Sequence, residues 1–318
     1  MRNILTLFFL TLSLVSCDAQ GQSEIFNVLA GTDHSSPLFL ESKAKSETEI
    51  ILVFDEMVFA DLNHFSCPDN ANEVIECSVY ENELTLKFRK ALQPGKKTDL
   101  KGRVNDWAGN SLTFTLGLWG YNPNLPTLLI NEFTTKGSGN NPDRVELIVL
   151  KGGNLAGITL YDGVKDDFDS FTILPPYTVK TGQYVVIEYG PSLRGAHEIE
   201  FWGGESGLGS NNGVISLYDS PEGTILDAVL YTNREAIQFD GYGTKKVQQR
   251  AEVLENLGMW LPNLFTYEDG IDSSLSTATR SMCRTEGKTD TNTKEDWHIV
   301  PTSNATFGKK NITAVYKP

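Results

Sequence analysis

Residues 80–88 read Tyr-Glu-Asn-Glu-Leu-Thr-Leu-Lys-Phe, and this stretch decides the fold class. Tyr80-Glu81-Asn82-Glu83 has the composition of a hairpin tip. From Glu83 to Phe88 polar and apolar residues alternate with period two, the spacing of a strand with one face against a core. Upstream, Glu49–Phe54 (EIILVF) is a second strand-like run. Gln93-Pro94-Gly95 and Asp106-Trp107-Ala108-Gly109-Asn110 are turn signals, because Gly and Asn tolerate positive φ and an Asp side chain bonds back to the backbone. Downstream the strand-like runs continue at 128–133, 144–150, 184–188, 213–218 and 226–231. Short strands with regular punctuation predict an all-β chain of two β-sandwich domains in tandem.

The boundaries follow from composition. Residues 36–119 form the first domain, 120–126 (two prolines and no alternation) a linker, and 127–318 the second domain. Residues 17–35 are small and polar and read as a tether. Between about 241 and 274 the strand pattern is interrupted. Residues 244–257 have helical spacing, with Val247, Ala251, Leu254 and Leu257 on one face and Gly258 placed to cap. This short helical insert is expected to cover one open end of the sandwich. The sharper reading makes it a binding lip with Trp260, Leu261 and Phe265 as contact anchors.

Two resemblances refine the fold. The run ILVFDE at 51–56, Leu92-Gln93-Pro94-Gly95, and VNDWAGNSL at 104–112 resemble the bacterial Ig-like domains of surface-layer and adhesin-type proteins. The second domain resembles a lamin tail domain, an Ig-like β-sandwich. LLINEF (128–133) and RVELIVL (144–150) stand for its opening strands. LAGITLYDG (155–163) and YTVKTGQYVVIE (177–188) stand for its middle, and LGSNNGVISLYDSPEGTILDAVLY (208–231) is the most specific piece. KTDTNTKEDWHIVPTSNATFGKKN (288–311) stands for the close. The chain departs from that pattern in having Phe307-Gly308 where the family has Pro-Gly, and Arg144-Val145 where it has a tryptophan. Two Ig-like sandwiches in tandem are what the resemblances imply.

The N-terminus carries one positive charge, Arg2, and an apolar run from Ile4 to Val15, too short to span a bilayer. It ends in Leu14-Val15-Ser16-Cys17, which resembles the lipobox of bacterial lipoproteins. The resemblance implies a signal peptide at 1–16, removed to leave a lipidated Cys17. Localisation at the bacterial cell envelope follows, with the lipid in a membrane, favouring the outer membrane and cell surface over the periplasmic leaflet. The net charge of −14 argues against a nucleic-acid partner, since such binding needs Lys and Arg to displace condensed counterions. The basic groups Lys245, Lys246, Arg250 and Lys309, Lys310 read as solvated charges. Cys67 and Cys77 are ten apart in an exported chain, which suits a disulfide as well as it suits two small buried residues; Cys283 has no obvious partner.

Catalytic constellations are thin. The chain has no Walker loop, H-E-x-x-H or G-x-S-x-G, and the glycine-rich stretch 203–213 reads as a long hairpin loop. His34, His64, His197 and His298 lack ligand spacing. Asp162, Asp166, Asp167 and Asp169 form the densest acidic cluster, able to offer oxygens to Ca²⁺, though without EF-hand spacing; an exposed acidic turn is the plainer reading. Glu132 and Glu146 sit at neighbouring strand positions. The sequence therefore predicts no enzyme, no cofactor beyond a candidate Ca²⁺, and a non-catalytic interaction or scaffold module. Its partners are a membrane, through the lipid, and an unidentified protein or glycan. The rivals are a calcium- or glycan-binding module and an accessory subunit of an envelope nuclease or phosphatase.

Overall fold

The computed structural model describes residues 34–68, 72–261 and 266–318. The chain is all-β with a single described α-helix, and it divides into two compact units. The first, described from His34, runs to Ala91 and again from Thr98 to Leu118. The second takes in Leu92–Lys97 and Trp119–Pro318.

In the first unit the strands are β1 (Phe39–Ala44), β2 (Glu49–Phe54), β3 (Phe59–Ala60), β4 (Val74–Tyr80), β5 (Glu83–Phe88), β6 (Lys97–Asn105) and β7 (Ser111–Trp119). They form an antiparallel sheet of order β1-β2-β5-β4 and a second sheet of order β3-β6-β7. The alternation in β5 buries Leu84, Leu86 and Phe88, and in β2 it buries Ile50, Leu52 and Phe54. The register pairs Ile50 with Leu86 and Leu52 with Leu84, so both strands turn their apolar sets to one face. Phe54 meets Phe114 of the other sheet at 6.2 Å between ring centroids, which joins the layers. The β4–β5 hairpin turns at Glu81 with φ of 53°. The β6–β7 turn is clamped by Asp106, whose Oδ1 accepts the Asn110 N–H at 2.8 Å and whose Oδ2 accepts Asn110 Nδ2 at 2.7 Å.

The second unit contains β8 (Thr127–Thr134), β9 (Arg144–Lys151), β10 (Gly153–Asn154), β11 (Thr159–Val164), β12 (Asp167–Ile173), β13 (Thr178–Val179), β14 (Tyr184–Tyr189), β15 (Glu200–Gly204), β16 (Gly213–Tyr218), β17 (Ile225–Thr232), β18 (Ile271–Asp272), β19 (Met282–Arg284) and β20 (Trp297–Ile299). A six-stranded sheet, β15-β14-β9-β8-β19-β20, faces a five-stranded sheet, β12-β11-β16-β17-β18. Their inner faces share one apolar core, which includes Ile130, Phe133, Leu147, Ile187, Ile215, Val229 and Tyr231. Phe133 packs on Tyr231 at 5.5 Å across the layers. β14–β15 and β17–β18 pair in parallel. The segment at 120–126 belongs to this unit: Asn122 is buried and donates from Nδ2 to the Asn154 and Ala156 carbonyls at 2.8 and 2.9 Å.

Two expectations need correction. The stretch 203–213 is not a hairpin loop, because β15 lies in the six-stranded sheet and β16 in the other. It crosses between layers, so its glycines serve a change of sheet. The helix α1 (Lys245–Asn256) occupies its expected place but turns a different face inward. Val247, Ala251 and Leu254 are buried as the spacing predicts, whereas Arg250 is buried with them and Leu257 is exposed.

Removing a fully buried side chain from the β2–β5 seam costs transfer energy and leaves a cavity. We expect Leu84→Ala to lower the unfolding free energy by about 3 kcal/mol, read by urea denaturation. The loss should fall on the first unit alone, leaving the second unit's transition in place.

Candidate functional site

Two polar clusters hold the second unit together, and a cleft lies beside its helical insert. The first cluster starts from the register of β8 and β9, which sets Glu132 opposite Glu146. Both are fully buried. Glu132 accepts the Thr306 N–H at 2.9 Å and the Thr306 hydroxyl at 2.7 Å, together with the Ser281 hydroxyl. Glu146 accepts Asn131 Nδ2 at 2.7 Å and the Gly308 N–H. Asn311 donates to the Asn131 side chain at 3.0 Å and to the Arg284 carbonyl at 2.7 Å. The segment from Thr306 to Asn311 is thereby strapped across β8. Burial pushes both carboxyls up in pKa, Glu146 well above its ordinary range, with the Glu132 charge adding to the rise. All four carboxylate oxygens are engaged by the chain's own donors, so this pair anchors a strap.

The second cluster lies under α1. Thr244 caps the helix, its hydroxyl accepting the Val247 N–H at 3.2 Å. Gly258, at φ of +68°, ends it, with Met259 N–H bonding to the Leu254 carbonyl. From the inner face Arg250 donates to Asp169 at 2.8 Å and Asp167 at 3.1 Å, and Lys246 reaches Asp169 at 2.5 Å. Asp167 and Asp169 both meet these cations although the β11–β12 register shifts between them, where Asp162 pairs with Ser170 and Gly163 with Phe168 and Asp169 is left as the extra residue of a bulge. Burial would raise the Asp169 carboxyl, but the bonds from Arg250 and Lys246 outweigh it and leave the pKa lowered. Asp162 is separate: it is buried, bonded to the Gly209 N–H, and pushed up to about 6 by burial with the Asp169 charge adding.

This placement corrects several expectations. The four aspartates do not converge, because Asp167 and Asp169 face the helix cations, Asp162 is buried, and Asp166 lies in the turn between β11 and β12. Among the described residues no group of three or more His, Cys, Asp or Glu side chains could hold a metal ion. Arg250 is a buried, paired cation and not a solvated charge. Trp260 is no exposed anchor: it is buried in the core and donates from Nε1 to the Asp269 carbonyl at 3.0 Å. Leu261 is exposed, while Phe265 and Cys17 lie outside the described residues. Cys67 and Cys77 are both half-buried free thiols, raised in pKa by burial, so the bridge is not formed here. Cys283 is a buried thiol facing the Arg284 carbonyl at 3.7 Å. His298 contacts the Ile312 carbonyl at 3.1 Å, and the four histidines do not gather.

The cleft was not foreseen. It encloses about 390 Å³ and is lined by Asp240, Tyr242, Gln248, Glu252, Glu255, Thr266 and Tyr267. Gln248, Glu252 and Glu255 fall at i, i+4 and i+7, one face of α1. That spacing is visible in the sequence, but nothing local places Tyr242 and Tyr267 opposite it. Tyr267 packs on the bare backbone of Gly241, where a Cβ would come within 2.3 Å of the ring. The Tyr267 carbonyl accepts the Thr232 hydroxyl at 2.6 Å and an Arg234 N–H at 2.8 Å, which ties this wall to β17. Ile237 and Phe239, shortly before Asp240 in the chain, and Leu257 and Leu261 after the helix, are exposed.

Comparison with known proteins gives two findings. A family model described as TP_1001_2nd, protein second domain, matches residues 126–195 and 191–299. The two stretches together take in more than half of the chain, all of it in the second unit. The chain is also similar to an uncharacterized protein of Treponema pallidum (strain Nichols), at 24% identity over 208 residues. That match covers 58% of this chain and 52% of the relative, so the chain spans about half the length of the protein it matches.

Asp162 gives the second unit a pH dependence of known sign. Its folded pKa of about 6 exceeds the ordinary 3.8, so the folded state holds the proton more tightly than the unfolded chain. Its stabilising contribution is complete below about pH 4 and is lost as pH rises through about 6. That difference corresponds to about 3 kcal/mol. Asp162→Asn keeps an acceptor for the Gly209 N–H, so the variant should be more stable than wild type at pH 7.5. It should also show a shallower fall in unfolding midpoint between pH 4 and 7, the remainder coming from the other buried carboxyls with raised pKa. Parallel midpoint-against-pH curves for the two proteins would refute this.

Proposed function

The chain belongs to the family described as TP_1001_2nd, protein second domain, and on that premise we propose that it is a lipid-anchored, exported bacterial protein. Its work is that of a non-catalytic interaction or scaffold module at the cell envelope. In this reading Cys17 carries the lipid, the first domain is an Ig-like spacer, and the second is a sandwich of the lamin tail type whose insert makes contact with a partner. One observation carries it. The buried acidic groups are committed to holding the chain together, Glu132 and Glu146 to the strap and Asp227 to Arg284, whereas the helical insert offers a cleft beside exposed apolar side chains. A buried polar group that is fully satisfied by its own fold stabilises and positions. Apolar side chains left beside an open cleft fit recognition.

Cell fractionation tests the anchor. Cys17→Ala should move an intact, folded protein from the membrane fraction to the soluble fraction, and a variant that stays with the membrane would overturn the reading at its root. The non-catalytic half is tested by assaying the purified mature chain with nuclease and phosphatase substrates in the presence of Mg²⁺, Mn²⁺ or Ca²⁺, where turnover above background would overturn it.

A further inference from the structure

The segment from Asn233 to Gly243 is firmly held, yet it turns two large apolar side chains outward. Ile237 is 90% exposed and Phe239 48%. Phe239 and Asp240 both have left-handed backbone, with φ of 50° and 54°. That conformation is rare for a phenylalanine and persists only where the surroundings impose it. Here they do. Arg234 donates to the Tyr267, Glu268 and Gly270 carbonyls at 2.8, 2.7 and 2.7 Å, and the Asn233 N–H reaches Asn212 Oδ1 at 2.7 Å. The Gly241 and Gly243 N–H groups return to the Gln238 carbonyl at 3.1 and 3.0 Å. A strained but fixed backbone thus presents an apolar knob.

A groove lies at the other end of the same unit. The register of β16 and β17 pairs Gly213 with Tyr231 and Tyr218 with Ile225, and Thr159 of β11 pairs with both Tyr218 and Ile173. Thr232, from which the knob follows, and Ile173 are therefore at opposite ends of the five-stranded sheet, about 20 Å apart. Gly241 packs on Tyr267, whose carbonyl accepts the Thr232 hydroxyl, so the knob stays at the Thr232 end. Ile173 lines a groove of about 600 Å³ with Pro94, Lys96, Leu174, Pro175 and Pro176, all of them in the second unit. Three prolines fix its walls, and Gly95 lies so close to Gly157 that a Cβ would come within 3.0 Å. The groove is preformed, and its charge is the opposite of the knob's. Lys96 is exposed in the groove, while exposed Glu235 and Asp240 flank the knob.

We propose that the knob of one copy docks in the groove of a second copy of this chain, Ile237 and Phe239 against Ile173 and the prolines, with Asp240 beside Lys96. This rests on the reading of the chain as an interaction module and names its partner. Both surfaces are already ordered, so little conformational freedom is lost on docking. Because knob and groove are different surfaces at opposite ends, the contact is heterologous. Each docked pair keeps one free knob and one free groove, and assembly runs on head to tail. A membrane is the poorer occupant, since Glu235 and Asp240 would bring acidic charge against an anionic lipid surface.

The test is sedimentation equilibrium of the full chain carrying Cys17→Ala, so that no lipid drives association. The mean mass should rise past that of a dimer between about 10 μM and 1 mM, with Kd of about 100 μM per contact, as suits an interface resting on two anchors. I237S/F239N, in which Asn suits the left-handed position, should weaken association at least about tenfold. K96E/P176E, which sets two acids in the groove, should do the same. Mixed in equal amounts, the two variants should form a one-to-one dimer that grows no further, because only one intact knob and one intact groove can meet. Unfolded variants could not do this. The proposal is overturned by a parent chain that stays monomeric, by growth that stops at a dimer, or by I237S/F239N assembling like the parent. Variants that keep the parent's unfolding midpoint but stay apart when mixed would also overturn it, as would knob-dependent pelleting with phosphatidylglycerol vesicles by a chain that does not self-associate. A monomeric parent removes this partner alone, since membrane fractionation and the nuclease and phosphatase assays test the envelope-module reading separately.

Discussion

Two carboxylates set opposite each other on adjacent strands, Glu132 and Glu146, impose the constraint on which the second unit depends. Neither can keep water, and bringing a carboxylate into the interior without donors costs several kcal/mol. The donors come from far along the chain: Thr306 lies 174 residues from Glu132, and Gly308 lies 162 from Glu146. The C-terminal strap is therefore the piece that makes burial of β8 and β9 tolerable. Gly308 is suited to its place by φ of +80°, and a Cβ there would come within 2.8 Å of His197 Nδ1. The Arg144 guanidinium lies 5.1 Å from the Phe307 ring centroid, giving the phenylalanine a packing role in the strap.

The same logic of buried charge met by a distant partner recurs twice. Asp227 on β17 accepts the Ile130 N–H of β8 at 2.6 Å and faces Arg284 of β19 at 3.3 Å, while Arg284 also lies 4.7 Å over the Trp297 ring. Burial pushes Asp227 up to about 7, with Arg284 opposing the rise. The interaction thus ties the two layers together through polar groups as well as through the apolar core. Arg250 does for the helix what Arg284 does for the sheets, fixing α1 to β12 through two carboxylates. Pairs of this kind specify an arrangement more than they add net stability. Buried Arg250 and Arg284 serve such joints, and among the described residues no lysine or arginine forms an ion pair with the acids lining the insert's cleft.

The sequence made the strands legible because period-two alternation and turn chemistry are local. β2, β5 and β16 coincide with the runs that the spacing marks, and α1 has its cap residues, Thr244 and Gly258, in plain sight. It put Glu132 and Glu146 at neighbouring strand positions, but the register that sets them opposite each other, with its shift between Ile130 and Glu132, came from the fold. It could not reveal which sheet each strand joins, so 203–213 looked like a hairpin when it is a crossing. Nor could helical periodicity know that Arg250 would find two aspartates to pair with, which is why a basic residue lies inside where Leu257 was expected.

What the sequence determined by itself is the all-β character, the tandem arrangement, the helix with its ends, and the strongly acidic balance. These are properties of spacing and composition, readable within a few residues. Only the tertiary structure decided which acids are neutralised and which are not. Asp167 and Asp169 looked like the open site and are paired, while Asp240, Glu252 and Glu255 looked unremarkable and line the cleft. The physical reason is that a carboxylate's role depends on the donors brought to it by other segments, and that pairing is set by the packing of elements far apart in the chain.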